Sequence, residues 1–239
     1  MSFESLISKV DSIQREHSAL SVIHDILEEQ QLLGYYSREY LSYSSNDSIY
    51  LVFLSKKRVP YNEVYYDLDG TKIGESKLSR ELNEFEIDLL NRQKMLLSKL
   101  KEISDGYYFD DYYIKIFLNY GSVLKLFVFS TPKASDIFSL RDSYYLSLSK
   151  ENIIHQRVYN KNGKDFQIIR PSGDTTAIFG INSVSGDYYF SNIHLLLFKY
   201  YSPDWWLNEL VLYSHKNKRK FIYYKNEDRV EIVKHSFEE

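Results

Sequence analysis

The chain has 239 residues, 30 Lys+Arg against 33 Asp+Glu, and a net charge of −3. This near balance excludes nucleic-acid binding through bulk positive charge. Apolar residues make up 44% and charged residues 26%, a globular composition that excludes a disordered chain. Cys is absent, which rules out disulfides, thiolate metal sites and Cys nucleophiles.

Met1-Ser2-Phe3-Glu4 opens into a charged amphipathic stretch with neither a basic n-region nor an apolar h-region, so no signal peptide is read there. The expected compartment is cytoplasmic for the chain as it stands, and periplasmic or exported if a signal has been removed. From Phe3 to Leu33, Phe3, Leu6, Ile7, Val10 and Ile13, then Leu20, Ile23, Ile26 and Leu27, recur at helical spacing. The polar stretch Gln14 to Ser18 predicts a bend or two helices, with Ser18 capping the second. The period then drops to two. Ile49 to Leu54 is all apolar and predicts a strand covered on both faces. Residues 63–67 and 71–75 flank Leu68-Asp69-Gly70, a hairpin signal in which Asp-Gly supplies the positive-φ corner. Leu78, Leu82, Phe85, Leu89, Leu96, Leu100 and Ile103 then form one stripe of a long helix ending at Gly106, with Glu early and Lys late.

Beyond Tyr107 only strands are predicted: 112–119, 124–130, 143–148, 153–159, 166–170, 176–181, 193–200, 209–214, 220–224 and 229–234. Asn162-Gly163 marks a hairpin, and Lys216–Arg219 and Asn226–Asp228 mark two more tips. Ile193 to Phe198 is the longest apolar run of this region and reads as a buried strand. No run approaches the roughly 20 apolar residues of a membrane-spanning helix. The expected fold class is α+β, with N-terminal helices and one long helix packed on a large, curved antiparallel sheet, meander or barrel-like. A single domain over 1–239 is preferred. The alternative is a mostly helical part over 1–106 with a β part over 107–239.

Tyr occurs 23 times and Ala three times, a bias that the codons of an AT-rich genome largely explain. Eight Tyr-Tyr doublets remain unusual. Neighbouring side chains of a strand point to opposite faces, so one ring of a strand doublet turns inward and the other outward. The outward rings form either cross-strand ladders or a recognition surface.

Tyr107, Tyr108, Asp110, Asp111 and Tyr112 crowd a helix-to-strand turn, exposed by default, and are the candidate partner-binding residues. Trp205 and Trp206, the only Trp residues, with Tyr201 nearby, are the candidate ligand platform; plugging the end of a sheet is the competing account. Asp67-Leu68-Asp69-Gly70 resembles part of a Ca²⁺ loop, but Tyr65 and Ser76 would stand where the first and twelfth ligands belong, so it reads as a turn. No metal or cofactor is expected. The basic run His215 to Lys220 has no interleaved aromatics for base stacking, so nucleic acid is not the expected partner. For catalysis no nucleophile elbow, HExxH or P-loop occurs. His155, Arg157 and Tyr159 share one face of a strand, where Asp174 or His194 could complete a dispersed acid–base site.

The preferred reading is a non-enzymatic protein-binding module of an inhibitor, immunity-type or accessory kind, using a Tyr-rich, mildly acidic surface. The alternatives are an exported-type carbohydrate or small-ligand binder and a hydrolase-like enzyme.

Overall fold

The computed structural model describes residues 3–30, 40–45, 48–104, 113–120, 122–131, 137–139, 143–159, 165–167, 177–182, 191–202, 207–214 and 218–234. The chain divides into two compact units, one of residues 18–131 and 141–163, the other of residues 1–17, 132–140 and 164–239. The class is α+β, as expected.

The first unit is built on an eight-stranded sheet. Its strands are β1 (Tyr40–Ser45), β2 (Ser48–Leu54), β3 (Pro60–Asp67), β4 (Lys72–Lys77), β5 (Tyr113–Tyr120), β6 (Val123–Ser130), β8 (Ser143–Leu148) and β9 (Ile154–Tyr159). They lie in the order β4-β3-β2-β1-β5-β6-β8-β9, an open, curved sheet and not a closed barrel. Every neighbouring pair is antiparallel except β1 and β5, which run parallel at Tyr43↔Asn119. Leu51, Val52, Phe53 and Leu54 are all buried, so β2 is covered on both faces.

The sequence pattern misses β1, because Ser supplies half of its residues. Those hydroxyls do the work of a ladder: Ser42 donates to the Phe117 carbonyl and Ser44 to that of Asn119. The Tyr40 hydroxyl accepts from the Phe117 amide at 3.1 Å. Helix α2 (Glu84–Ile103) lies against this sheet. Gln93 donates to the Tyr40 carbonyl at 3.2 Å, and Arg92 to those of Leu148 and Ser122 at 2.9 and 3.0 Å. The helix starts later than its apolar stripe predicts. Asn83 caps it, and the Leu78 amide bonds the Tyr61 carbonyl, extending the β-hairpin.

Helix α1 (Phe3–Glu29) gives its first part to one unit and its remainder to the other. It is a single helix, without the expected break. The polar residues at its middle meet polar partners: Gln14 donates to the Asp228 carbonyl and His17 reaches the Asp228 side chain. Their polarity marks a contact and not a helix end.

The second unit also holds β7 (Ile137–Ser139), β10 (Asp165–Gln167), β11 (Ala177–Asn182), α3 (Asn192–Tyr201), β12 (Leu207–Ser214), β13 (Arg219–Tyr224) and β14 (Arg229–Lys234). β11 runs parallel to β12, and β12-β13-β14 form an antiparallel meander. The expected hairpin tip at Asn162-Gly163 lies outside the described residues; among the described strands β9 pairs with β8, and β10 with β7.

The run Ile193 to Phe198, read as a strand, is helix. Ser191 caps it by accepting from the His194 amide, while His194 returns a bond to the Ser191 amide. Half of its residues are Leu, a strong helix former, and all six are buried. Burial on every side removes the 3.6-residue period that would have marked a helix. No helix among the described residues is long and apolar enough to cross a membrane.

Candidate functional site

Of the residues singled out in the sequence, Tyr107, Tyr108, Asp110, Asp111, Tyr112, Trp205 and Trp206 lie outside the described residues, as does Asp174. Tyr201 ends α3 half-buried, its ring 6.4 Å from that of Tyr200 at 57°. His155 is exposed on β9, opposite Ser147. The His194 ring closes the cap of α3, with Nδ1 3.1 Å from the Ser191 hydroxyl. Asp67 acts as a turn residue, its carboxylate accepting from the Asp69 and Thr71 amides, with Gly70 at φ 84°.

Two doublets show the alternation of a strand: Tyr144 is buried and Tyr145 half-buried, Tyr223 buried and Tyr224 half-buried, whereas Tyr65 and Tyr66 are both half-buried and Tyr200-Tyr201 lies in α3. One outward set forms a ladder. Tyr43, Tyr50 and Tyr65 stand directly opposite one another on β1, β2 and β3. The first two rings stack at 5.1 Å and 3°, the next two at 5.6 Å and 19°. Phe85 of α2 closes one end edge-on to Tyr43, at 5.2 Å and 84°. Gly74 of β4 closes the other, directly across from Tyr65. A Cβ at Gly74 would lie 2.2 Å from the Tyr65 hydroxyl oxygen and 2.9 Å from its ring carbon Cε1. Glycine leaves the room in which the ring folds over the edge strand; a side chain there would push the Tyr65 ring aside.

Carboxylates rim this row. The Tyr43 hydroxyl donates to Glu63 at 3.1 Å. Burial and then the neighbouring Glu63 and Glu86 carboxylates push the Tyr43 phenol above its ordinary value. Glu86 itself is buried and held by Arg80 in a two-pronged pair at 2.6 and 2.7 Å. Glu84 and Asp88 are exposed on either side of Phe85 along α2. The row is thus aromatic, rigid and locally acidic. Neither strand periodicity nor the doublets point to it, because it depends on register; Tyr65 is its only doublet member.

Replacing Gly74 by Ala is expected to lift the Tyr65 ring off the ladder. Because the half-buried ring can turn aside at the sheet edge, the cost is at the low end of overpacking, about 1 kcal/mol. Urea unfolding of Gly74→Ala beside Gly74→Ser and Tyr65→Ala checks this. Adding Gly74→Ala to Tyr65→Ala should cost almost nothing, because the clash has gone.

A second cluster lies in the other unit. The Asp228 carboxylate accepts from the Tyr223 hydroxyl at 2.8 Å and the Lys199 ammonium at 2.7 Å, and His17 Nε2 lies 3.0 Å away. Three donors hold this carboxylate, so it is not a free base. A third grouping, His24, Asp25 and Glu28 on α1, has ligand atoms within 4.8 Å of one another; both acids are exposed and His24 Nδ1 already faces Asp25 at 3.5 Å. In comparisons with protein-family models, with curated proteins and with solved structures, nothing matches this chain.

Proposed function

We propose that the protein is a non-enzymatic protein-binding module whose docking surface is the aromatic row of Tyr65, Tyr50, Tyr43 and Phe85 with its carboxylate rim. The observation that carries this reading is Phe85. It stays 48% exposed although it touches Tyr43 at the end of a stacked row. A large aromatic left open beside half-buried, mutually fixed rings offers contact area with little rotamer entropy to lose. The faces of Tyr43, Tyr50 and Tyr65 are turned to one another. Ring edges remain for a partner, which suits a polypeptide surface better than a sugar ring that would stack on an open face. Glu63, Glu84 and Asp88 favour a partner surface bearing Arg or Lys.

The test begins with a tagged capture from the source cells, followed by titration of the purified partner against Phe85→Ser and Glu63→Gln. Phe85→Ser is expected to weaken binding by at least about tenfold, as loss of an interface anchor does, with little change in melting temperature. Glu63→Gln should mainly reduce the salt dependence of association. A partner that binds Phe85→Ser as tightly as the parent would overturn the assignment of this surface.

A further inference from the structure

We propose that His17 and Asp228 form an acid-sensitive latch, which fastens the first part of α1 to the turn between β13 and β14 and releases it in mild acid. The latch lies wholly within the second unit and is independent of the aromatic row. Its geometry draws on four elements. From α1, His17 Nε2 reaches Asp228 Oδ1 at 3.0 Å, and Gln14 donates to the Asp228 carbonyl at 3.0 Å. From β13, Tyr223 donates to the same Oδ1 at 2.8 Å, and its ring meets the His17 ring edge-on at 5.6 Å. From α3, Lys199 holds the other carboxylate oxygen at 2.7 Å. The turn itself is Lys225 to Asp228, and Asp228 sits at φ 48°. A residue with a Cβ does not favour that left-handed backbone, so side-chain contacts hold the turn in place.

The sensitive atom is His17 Nδ1. The residue is 1% exposed, and Nδ1 has no hydrogen-bond partner among the described residues. Bonding to Asp228 therefore places the single ring proton on Nε2 and leaves Nδ1 as a buried lone pair. A second proton would become a buried donor without an acceptor. The charged groups facing the ring are Asp228 from the turn and Lys199 from α3. Tyr223 faces it as a neutral phenol, because burial and then the Asp228 charge raise its pKa. Burial lowers the His17 pKa below 6.5, and the attraction of Asp228 only partly offsets this.

The sign follows from linkage. The closed latch resists the second proton, whereas an opened latch exposes His17 to water with its ordinary value of 6.5. Below that pH the open form binds one more proton than the closed form. The opening constant then rises by up to about tenfold per pH unit.

Native-state hydrogen exchange on the full chain, corrected for intrinsic rates, reads this opening at amides 5–16 and 225–230 between pH 7.5 and 5. The parent protein is expected to show an opening constant at least about tenfold larger at pH 5. His17→Gln keeps an amide donor for Asp228 and cannot titrate, so its opening constant should stay flat. Equal pH dependence in the two proteins, or none in the parent, would overturn the latch. If His17→Gln does not fold, NMR of the parent imidazole decides. A His17 ring that protonates near 6.5 without change in exchange at 225–230 also overturns it, and protonation that tracks the exchange supports it.

Discussion

Replacing Glu86 by Ala is expected to destabilise the eight-stranded unit by about 3 kcal/mol. Two losses add. Glu86 closes the capping box of α2: its carboxylate accepts from the Asn83 amide at 2.9 Å while its own amide donates to the Asn83 side chain at 2.9 Å. Losing half of such a cap costs roughly 1 kcal/mol. The other loss is the two-pronged bond from Arg80, a charge-assisted contact worth about 2 kcal/mol. Arg80 is 37% exposed and regains water, which keeps the cost below that of a fully buried, stranded charge. Urea unfolding should show a lower midpoint at an unchanged slope. Glu86→Gln separates the losses, because an amide oxygen still accepts from Asn83 but the charge for Arg80 is gone; about half of the effect should remain. Burial alone would raise the Glu86 pKa, but Arg80 and the Asn83 amide outweigh it and hold the value below 4.5. The stabilisation is therefore fully present above pH 4.5 and disappears as the pH falls through the lowered folded value. A Glu86→Ala protein as stable as the parent would mean that Arg80 and the cap contribute nothing.

The same cap explains what the sequence discloses about α2. Its apolar stripe is legible from Leu89 to Leu100, yet the stripe also takes in Leu78 and Leu82, which precede the helix. An apolar residue at helical spacing does not know where the helix begins; Asn83 and Glu86, three apart, do. Ser191 and His194, three apart, cap the run from Ile193 to Phe198 in the same way, but with His in place of the usual Glu or Gln the pair is a weak signal in a sequence. Where period and turn chemistry agree, the reading is close: β8 and β14 are found at residues 143–148 and 229–234 as expected. β1 is illegible for a different reason: half of its residues are Ser, and the hydroxyls of Ser42 and Ser44 find their acceptors on carbonyl groups 75 residues away.

The aromatic row is legible only in its parts. Tyr50 and Tyr65 stand on strands that the sequence identifies, and Gly74 follows the turn that it identifies. That they face one another depends on registers set by the Asp67–Thr71 turn and by irregularities between Phe53 and Leu54 and between Tyr65 and Tyr66. A shift of one residue would turn these rings to the opposite face. Side-chain counting cannot supply that information. The latch is less visible still: His17 and Asp228 are 211 positions apart, and nothing local to either announces the other.

Asp228→Ala is expected to cost more than Glu86→Ala, a loss of about 4 kcal/mol in the second unit. The Tyr223 hydroxyl and His17 Nε2 are buried donors, and each stranded donor costs about 1–3 kcal/mol. Lys199 is 23% exposed and recovers hydration, so it adds less. The backbone allows a sharper test than the size of the loss. At φ 48° a Cβ costs about 1 kcal/mol, so Asp228→Gly should be more stable than Asp228→Ala by about that amount while remaining well below the parent. Asp228→Asn keeps an acceptor for Tyr223 and His17 and suits the left-handed conformation, but turns an amide donor toward Lys199. It should lose least. The expected order of stability is parent, Asn, Gly, Ala. If Gly matched the parent, relief of the backbone would outweigh the whole cluster and the hydrogen bonds of Asp228 would be incidental. The opposite ranking of Gly below Ala would mean that the turn does not keep its left-handed corner once the carboxylate is gone. Burial alone would raise the Asp228 pKa, but the bonds from His17 and Lys199 outweigh it and hold the value far below the usual 3.8. Its contribution is therefore complete above about pH 4 and is lost only in strong acid. That separates it from His17, whose effect begins near pH 6.5. Stability curves of Asp228→Asn and His17→Gln should accordingly differ from the parent's in two distinct pH windows.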